Sequence, residues 1–262
     1  MAAAPRFFCS GPLLSGTTIR LSAGATRHVQ VLRLQPGDNI TLFGGYAGGD
    51  LNSHLTDGLN TTGEFEATIA EIGRREVQVV IGRHHLADRE SSRELHLAIG
   101  MPANERMDWL VEKATELGVA VIQPLMTERS VVRLDEERAR KKTAHWISIA
   151  VSACEQCGRN RVPELRDVAT LTSWSRQLGS MDARSASLRL VLSLRHGARP
   201  LQELLAGQRV EAGPVTVLSG PEGGLSAAEE ELALQQGFVP VTLGPRILRA
   251  ETAALAALTL LA

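Results

Sequence analysis

Residues Val215 to Ala253 read VTVLSGPEGGLSAAEEELALQQGFVPVTLGPRILRAETA, and two apolar strands in this stretch each break into an unusual turn. Ser219-Gly220-Pro221-Glu222-Gly223-Gly224 follows the first strand, and Gly244-Pro245-Arg246-Ile247-Leu248-Arg249 follows the second. Glycine and proline just past a strand give backbone shapes closed to ordinary residues, and such turns bring main chain close to a ligand. A plain strand-to-helix turn with a capping serine is the other reading. The first turn lacks the Lys and Ser/Thr of GxxxxGK[ST] and does not match GxGxxG. Its Glu222 would repel a pyrophosphate but be tolerated beside a ligand carrying positive charge.

A sulfonium cofactor such as S-adenosylmethionine meets that sign requirement. Downstream, Ser226 with Glu229 forms a capping box for a helix running from Ser226 to Gln236. After the second turn, Arg246 and Arg249 precede Glu251, Thr252 and an alanine-rich helix from Ala250 to Leu261. Small residues allow close packing against a sheet or a second subunit, and an arginine there suits a substrate anion.

Working back, strands are expected at Leu95 to Ile99, Val119 to Leu125, Leu188 to Leu194, Val215 to Leu218 and Phe238 to Leu243. Helices come between them: Met107, Leu110, Val111, Ala114 and Leu117 recur at helical spacing, and Asp135 to Cys157 forms a long amphipathic helix. Strands alternating with helices indicate an α/β fold with a parallel sheet covered on both faces. Residues 6 to 43 differ. Phe7-Phe8, Thr18 to Leu21, His28 to Leu34 and Ile40 to Phe43 are short apolar runs between turn residues, which reads as a small β module. Gly44 to Gly63 is expected to be a long mobile hairpin loop. The polar segment Gly82 to Arg93 is expected to be a linker, with His84 and His85 too poorly placed for a metal pair.

At 262 residues and 44% hydrophobic content, the chain can bury the cores of two unequal domains. It has no run of about 18 apolar residues and no signal-like start, so a soluble, cytoplasmic protein is expected. Cys9, Cys154 and Cys157 cannot build a disulfide framework, and the Cys154-x-x-Cys157 spacing falls at the end of a helical pattern with no second pair to complete a zinc site. No metal is expected. The net charge of −1 argues against a polycation, but two neighbourhoods are basic. Arg6, Arg20, Arg27 and Arg33 face only Asp38 in the first 40 residues, and positions 129 to 166 carry nine Arg or Lys against five Asp or Glu. Either these are ordinary solvated faces or they meet a nucleic acid.

Six ordered segments carry a family resemblance over nearly the whole chain. They are Arg27-His28 with Val31-Leu32-Arg33 and Gly37-Asp38; Glu112 to Gly118; Thr127-Glu128-Arg129-Ser130; Glu155-Gln156-Cys157 with Arg159; Gly220 to Gly224; and Leu243-Gly244 with Arg246 to Arg249 and Glu251-Thr252-Ala253. On these the chain resembles the SPOUT class of RNA methyltransferases, and within it the family that methylates N3 of a uridine in small-subunit (16S) ribosomal RNA. Gly44 to Gly63 departs from that family by looking longer than its usual hairpin. The resemblance implies an N-terminal PUA-like β-barrel, placed at 1–82, and a trefoil-knotted α/β methyltransferase domain at 83–262. It also implies a homodimer acting on 16S ribosomal RNA or the small ribosomal subunit.

Under that resemblance the S-adenosylmethionine site is formed by three chain segments: Leu192-Ser193-Leu194; Leu218, Ser219, Gly220, Glu222, Gly223 and Gly224; and Leu243, Gly244, Ile247 and Leu248, with Ala253 beyond. Uridine N3 must lose its proton before or during attack on the methyl group, and the negative charge spreading onto O2 and O4 calls for a cation. Arg249 is the candidate, with Glu251 as an orienting group or possible base. Candidate RNA contacts are Arg6, Arg27, His28, Arg33, Arg129 and Arg159. A non-catalytic RNA-binding or ribosome-assembly factor remains the alternative, and an NTP-dependent enzyme is disfavoured by the missing Lys.

Overall fold

Alternation of buried and exposed residues builds the first sheet. The computed structural model describes residues 4–46, 63–181, 188–207 and 213–262. In order come β1 (Arg6–Phe8), β2 (Thr18–Arg20), α1 (Ala23–Val31), β3 (Asn39–Phe43), β4 (Gly45–Tyr46), β5 (Glu64–Ile72) and β6 (Val77–His85). Phe65, Ala67 and Ile69 on β5 and Val77, Val79 and Ile81 on β6 point to one face, as a period of two demands. They share a core with Phe7, Ile40 and Leu42, and with Ala25 and Val29 of α1. The strands run in the order β1-β3-β5-β6-β2.

Two expectations for this region need correction. His28 to Val31 is helix, not strand: Ser22 caps α1 by accepting from the Ala25 N–H, and Ala25 and Val29, one turn apart, supply its buried face. The β-branched and leucine-rich spelling of the run concealed a four-residue spacing. The second correction concerns the linker, because β6 continues through His85, whose partner on β5 is Glu64. His84 packs on the Phe65 ring at 4.5 Å, and His85 Nε2 lies 2.8 Å from Glu66 Oε1. Most of the loop expected between Gly44 and Gly63, residues 47–62, lies outside the described residues.

The second half alternates strands and helices: β7 (Leu95–Gly100), α2 (Asn104–Glu116), β8 (Val121–Met126), α3 (Glu136–Cys157), β9 (Arg161–Val162), β10 (Glu164–Leu165), β11 (Ala169–Thr170) and α4 (Leu171–Met181). Then follow β12 (Leu188–Leu192), β13 (Arg199–Pro200), α5 (Leu201–Gly207), β14 (Val215–Ser219), α6 (Ala227–Gln235), β15 (Val239–Thr242) and α7 (Ala250–Leu261). The sheet runs β10-β8-β7-β14-β12-β15-β13, with β11 also on β8, and every pairing in it is parallel. This is an α/β fold. All five residues of the central strand β14 are buried, as expected for a parallel strand covered on both faces. Trp174, Phe238, Ala233, Leu218 and Val191 form one of its cores.

By chain contacts the molecule divides into two compact units, one comprising the chain up to Glu90 with Val151–Val162, the other Ser91–Ala150 with Pro163–Ala262. Among the described residues no helix is long and apolar enough to cross a membrane.

Within the first unit an ion network replaces what would otherwise be an exposed basic face. Glu64 receives both guanidinium arms of Arg89, at 2.9 and 3.2 Å, and also pairs with Arg6. Arg6 in turn donates to Asn160 Oδ1 at 2.6 Å and to the Arg159 carbonyl at 3.1 Å, and sits 4.9 Å from the centre of the Phe43 ring. The Arg89 hydrogen bonds, joined by those of Arg6, pull the Glu64 carboxyl down to about 2 against the opposing pull of burial. A depressed carboxylate stabilises the fold above its unfolded value of about 4.5 and loses that contribution as pH falls towards about 2. Glu64→Gln is therefore expected to cost on the order of 2 kcal/mol at neutral pH, by leaving Arg6 without its counter-charge. Urea unfolding should show the gap between wild type and variant closing as the pH is lowered from about 5 towards 2.

Candidate functional site

β12, β14 and β15 are parallel neighbours, so their C-terminal ends open at one edge of the sheet, where open α/β sheets bind ligands. A cavity of about 370 Å³ lies there. That is within the range of roughly 300 to 1,000 Å³ usual for small-molecule sites. Leu192, Ser193 and Leu194 line it from the end of β12, Ser219 to Leu225 from the turn after β14, and Val241, Thr242, Leu243, Arg246, Ile247 and Leu248 from β15 and the turn beyond. Ala250 and Ala253 of α7, Glu230 of α6, Arg129 and Arg195 complete the wall.

The turn after β14 is held by main chain. The Gly224 N–H donates to the Pro221 carbonyl at 2.8 Å, and Gly224 takes φ +69°, a left-handed value that favours glycine. A Cβ on Gly220 would fall 2.6 Å from the Gly224 carbonyl carbon and the Leu225 nitrogen. Arg129 Nη1 donates to the Gly223 carbonyl at 2.8 Å. Glu222 accepts from the Ala103 N–H at 3.0 Å and from Arg106 Nη1 at 3.3 Å, so its charge is answered by the start of α2 and an arginine on it. The capping box is complete: the Glu229 N–H donates to Ser226 Oγ, and the Ser226 N–H donates to Glu229 Oε2 at 3.0 Å. The other Glu229 oxygen accepts from the Glu128 N–H at 2.7 Å.

Twelve of the fourteen residues expected at the cofactor site line this cavity. The other two do not. Leu218 is fully buried in the sheet, and Gly244, at φ +113°, shapes the second turn without facing the space. Arg249 and Glu251 also lie off the cavity wall. Arg249 is exposed at the start of α7 and makes no side-chain cap. Glu251 is 7% exposed, and its Oε2 has no hydrogen-bond partner.

The six candidate RNA contacts separate by surroundings. Arg27 and Arg33 are exposed. His28 Nδ1 is 3.4 Å from Glu155, whose carboxyl burial pushes up while the Phe8 N–H and His28 pull it down. Arg129 binds the Gly223 carbonyl at the cavity. Arg6 and Arg159 point inward: Arg159 is 3% exposed, its guanidinium on Glu90, and Arg6 belongs to the Glu64 network. Burial of Cys9 and Cys154 raises each thiol to about 12, with the Glu155 charge adding to the effect at Cys9, so neither is a ready nucleophile. Sequence reasoning passed over Glu230, Arg195, Val241, Thr242 and Leu225. Only Glu230 had a local signal, being four residues after the capping Ser226 and so on the same helix face.

A family model described as RNA methyltransferase domain matches residues 89–262. The Ribosomal RNA small subunit methyltransferase E of Buchnera aphidicola subsp. Schizaphis graminum is 31% identical over 258 residues, covering 98% of this chain and 95% of its own. The Bacillus subtilis protein of the same name is 30% identical over 231 residues, covering 88% and 84%. A Legionella pneumophila protein solved in complex with the bound cofactor SAM superposes with a TM-score of 0.85 at 36% identity, covering 99% and 97% of the two chains. A Ribosomal RNA small subunit methyltransferase E from Neisseria gonorrhoeae bound to S-adenosyl methionine does so with 0.84 at 35%, with the same coverage.

The contact at Gly220 is testable without any ligand. Gly220→Ala places a methyl group against main chain that cannot swing aside, and is expected to cost about 1–3 kcal/mol. Gly11→Ala, with nothing within 4 Å of its Cβ, should leave the thermal unfolding midpoint unchanged.

Proposed function

Because the chain belongs to the RNA methyltransferase domain family, among the proteins named Ribosomal RNA small subunit methyltransferase E, we propose that it methylates small-subunit ribosomal RNA with S-adenosylmethionine as methyl donor. The observation that carries this reading is the cavity at the ends of β12, β14 and β15, in a chain alike over nearly its full length to two proteins solved with that cofactor. The residues present fit the group. Leucine and isoleucine side chains at 192, 194, 247 and 248 offer apolar walls for a purine, and the 219–224 turn offers main-chain polar groups. Its cationic lining is Arg129, Arg195 and Arg246, of which Arg129 is engaged by the Gly223 carbonyl. When bound, the cofactor supplies an electrophilic methyl group on a sulfonium.

The finer reading concerns the nucleotide. The acceptor is N3 of a uridine in 16S ribosomal RNA, an imide nitrogen that must lose its proton. Arg249 answers the negative charge that then spreads over O2 and O4, reaching from the exposed start of α7. Glu251, buried in the first turn of α7, is the orienting group of that helix start. In this reading the first unit is a PUA-like barrel that holds RNA through Arg27 and Arg33, and the C-terminal segment threads a trefoil knot. The protein works as a cytoplasmic homodimer whose second copy completes the site. A non-catalytic RNA-binding factor is disfavoured by the family membership and by the built cofactor-sized cavity.

Methyl transfer onto ribosomal RNA from a strain lacking the activity, with the site mapped by reverse-transcription stops, tests the reading directly. N3 methylation blocks base pairing and should give one sharp stop; absence of any transfer would leave the non-catalytic reading standing. Arg249→Ala is expected to keep cofactor affinity and lower transfer about 10²- to 10³-fold, the usual loss when one charge-stabilising donor is removed. Arg27→Ala and Arg33→Ala should each weaken RNA binding and flatten its dependence on salt by roughly one released counterion, measured by titration across ionic strengths.

A further inference from the structure

We propose that Glu230 is a cofactor-binding residue: held by Ser193, its carboxylate accepts a hydrogen bond from a donor group of S-adenosylmethionine. This rests on the cofactor assignment above and adds a contact within it. Ser193 and Glu230 lie on different elements, the end of β12 and the first turn of α6, and both line the cavity. The Ser193 hydroxyl has one proton and gives it to Glu230 Oε1, while its oxygen accepts from the Arg195 N–H at 3.0 Å. Ser193 is 7% exposed, so the hydroxyl is fixed by both bonds. Glu230 is thus aimed, and only one of its oxygens is used.

Two neighbouring acidic groups, Glu222 and Glu229, are answered by the protein itself. Glu222 is held by the Ala103 N–H and Arg106, and Glu229 by the N–H groups of Ser226 and Glu128. Among the described residues Glu230 Oε2 has no hydrogen bond, and no cationic side chain comes within 4.0 Å of the carboxylate. A carboxylate oxygen that faces an open cavity is hydrated until a ligand fills the space. A bound ligand that displaces the water must bring a donor or leave a carboxylate oxygen unsatisfied, which is costly. S-adenosylmethionine brings donors at two ends: the ribose hydroxyls and adenine amine of its nucleoside part, and the ammonium of its amino-acid part. Either meets an acceptor-only carboxylate.

Isothermal titration of the full chain with S-adenosylmethionine, S-adenosylhomocysteine and 5′-methylthioadenosine tests this. Glu230→Gln is expected to weaken S-adenosylmethionine about tenfold or more, the size of a hydrogen bond to a charged group. Glu231→Gln, the next residue on the same helix and exposed, should bind as wild type does. Equal weakening for all three ligands assigns the contact to the nucleoside part. Weakening that spares 5′-methylthioadenosine, which lacks the ammonium, assigns it to the amino-acid part. Ser193→Ala should cost less than Glu230→Gln, and the double variant no more than Glu230→Gln alone; additive losses would remove Ser193 from the arrangement. Wild-type affinity in a folded Glu230→Gln protein, checked by its unfolding midpoint, overturns the proposal. Failure of the wild-type chain to bind S-adenosylmethionine would instead overturn the cofactor assignment.

Discussion

The turn after β14 closes so tightly on itself that one hydrogen atom decides its shape. Gly220 has main chain of Gly224 and Leu225 where a Cβ would be, and a Cβ on Gly100 of the adjacent strand would meet Pro221 Cδ at 2.5 Å. The end of β7 therefore fits against this turn only because its contact residue is glycine. Once the turn is seated, the rest of the site is placed by what reaches it: Arg129 donates to the Gly223 carbonyl, and Glu222 accepts from the Ala103 N–H at the N-cap of α2 and from Arg106. One backbone donor at the start of α2 is thereby satisfied by a side chain from a distant loop.

Charge in this site is distributed differently from what the motif alone suggests. Glu222 is the acidic residue of the glycine-rich turn, and its sign argued for a cationic ligand over a pyrophosphate. In the fold Glu222 is a strut, neutralised by α2, and the sign argument transfers to Glu230. The conclusion about the ligand survives because both carboxylates border the same cavity. The residue responsible is different, and the packing of α6 beside the end of β12 brings it to the site.

What was legible in the sequence was local. The parallel strands, the capping box of Ser226 and Glu229, and the glycine turns each have a signature within a few residues, and the geometry of each is present. Reading failed where a partner is remote. Arg6 and Arg159 were candidate RNA contacts on charge balance and loop position, and in the fold Glu64 and Glu90 reach them from 58 and 69 positions away. The helix α1 was misread for a different reason. His28 to Leu34 is rich in strand-forming residues, and its helical character lies in Ala25 and Val29, which begin before the apolar run does. Propensity within the run lost to burial of a four-residue spacing that crosses its boundary.

The end of α1 shows how local structure and a surface charge are reconciled. The Leu34 N–H returns to the Val29 carbonyl and the Arg33 N–H to that of Gln30, a pairing that puts Arg33 in the left-handed region at φ 56°. Glycine is the usual occupant, and a side chain there costs roughly 1 kcal/mol. Arginine returns part of that cost, since a cation beyond the last carbonyls of a helix is favoured by about 0.3–1 kcal/mol. The same conformation turns the side chain out to solvent, where it is exposed and not committed to an internal carboxylate as Arg6 and Arg159 are. Of the arginines in the first unit considered for RNA, those with charge still available for a phosphate are Arg27 on α1 and Arg33 at its end. Within the first 40 residues the exposed basic surface is thus Arg20, which pairs with Glu76, together with α1 and its terminus.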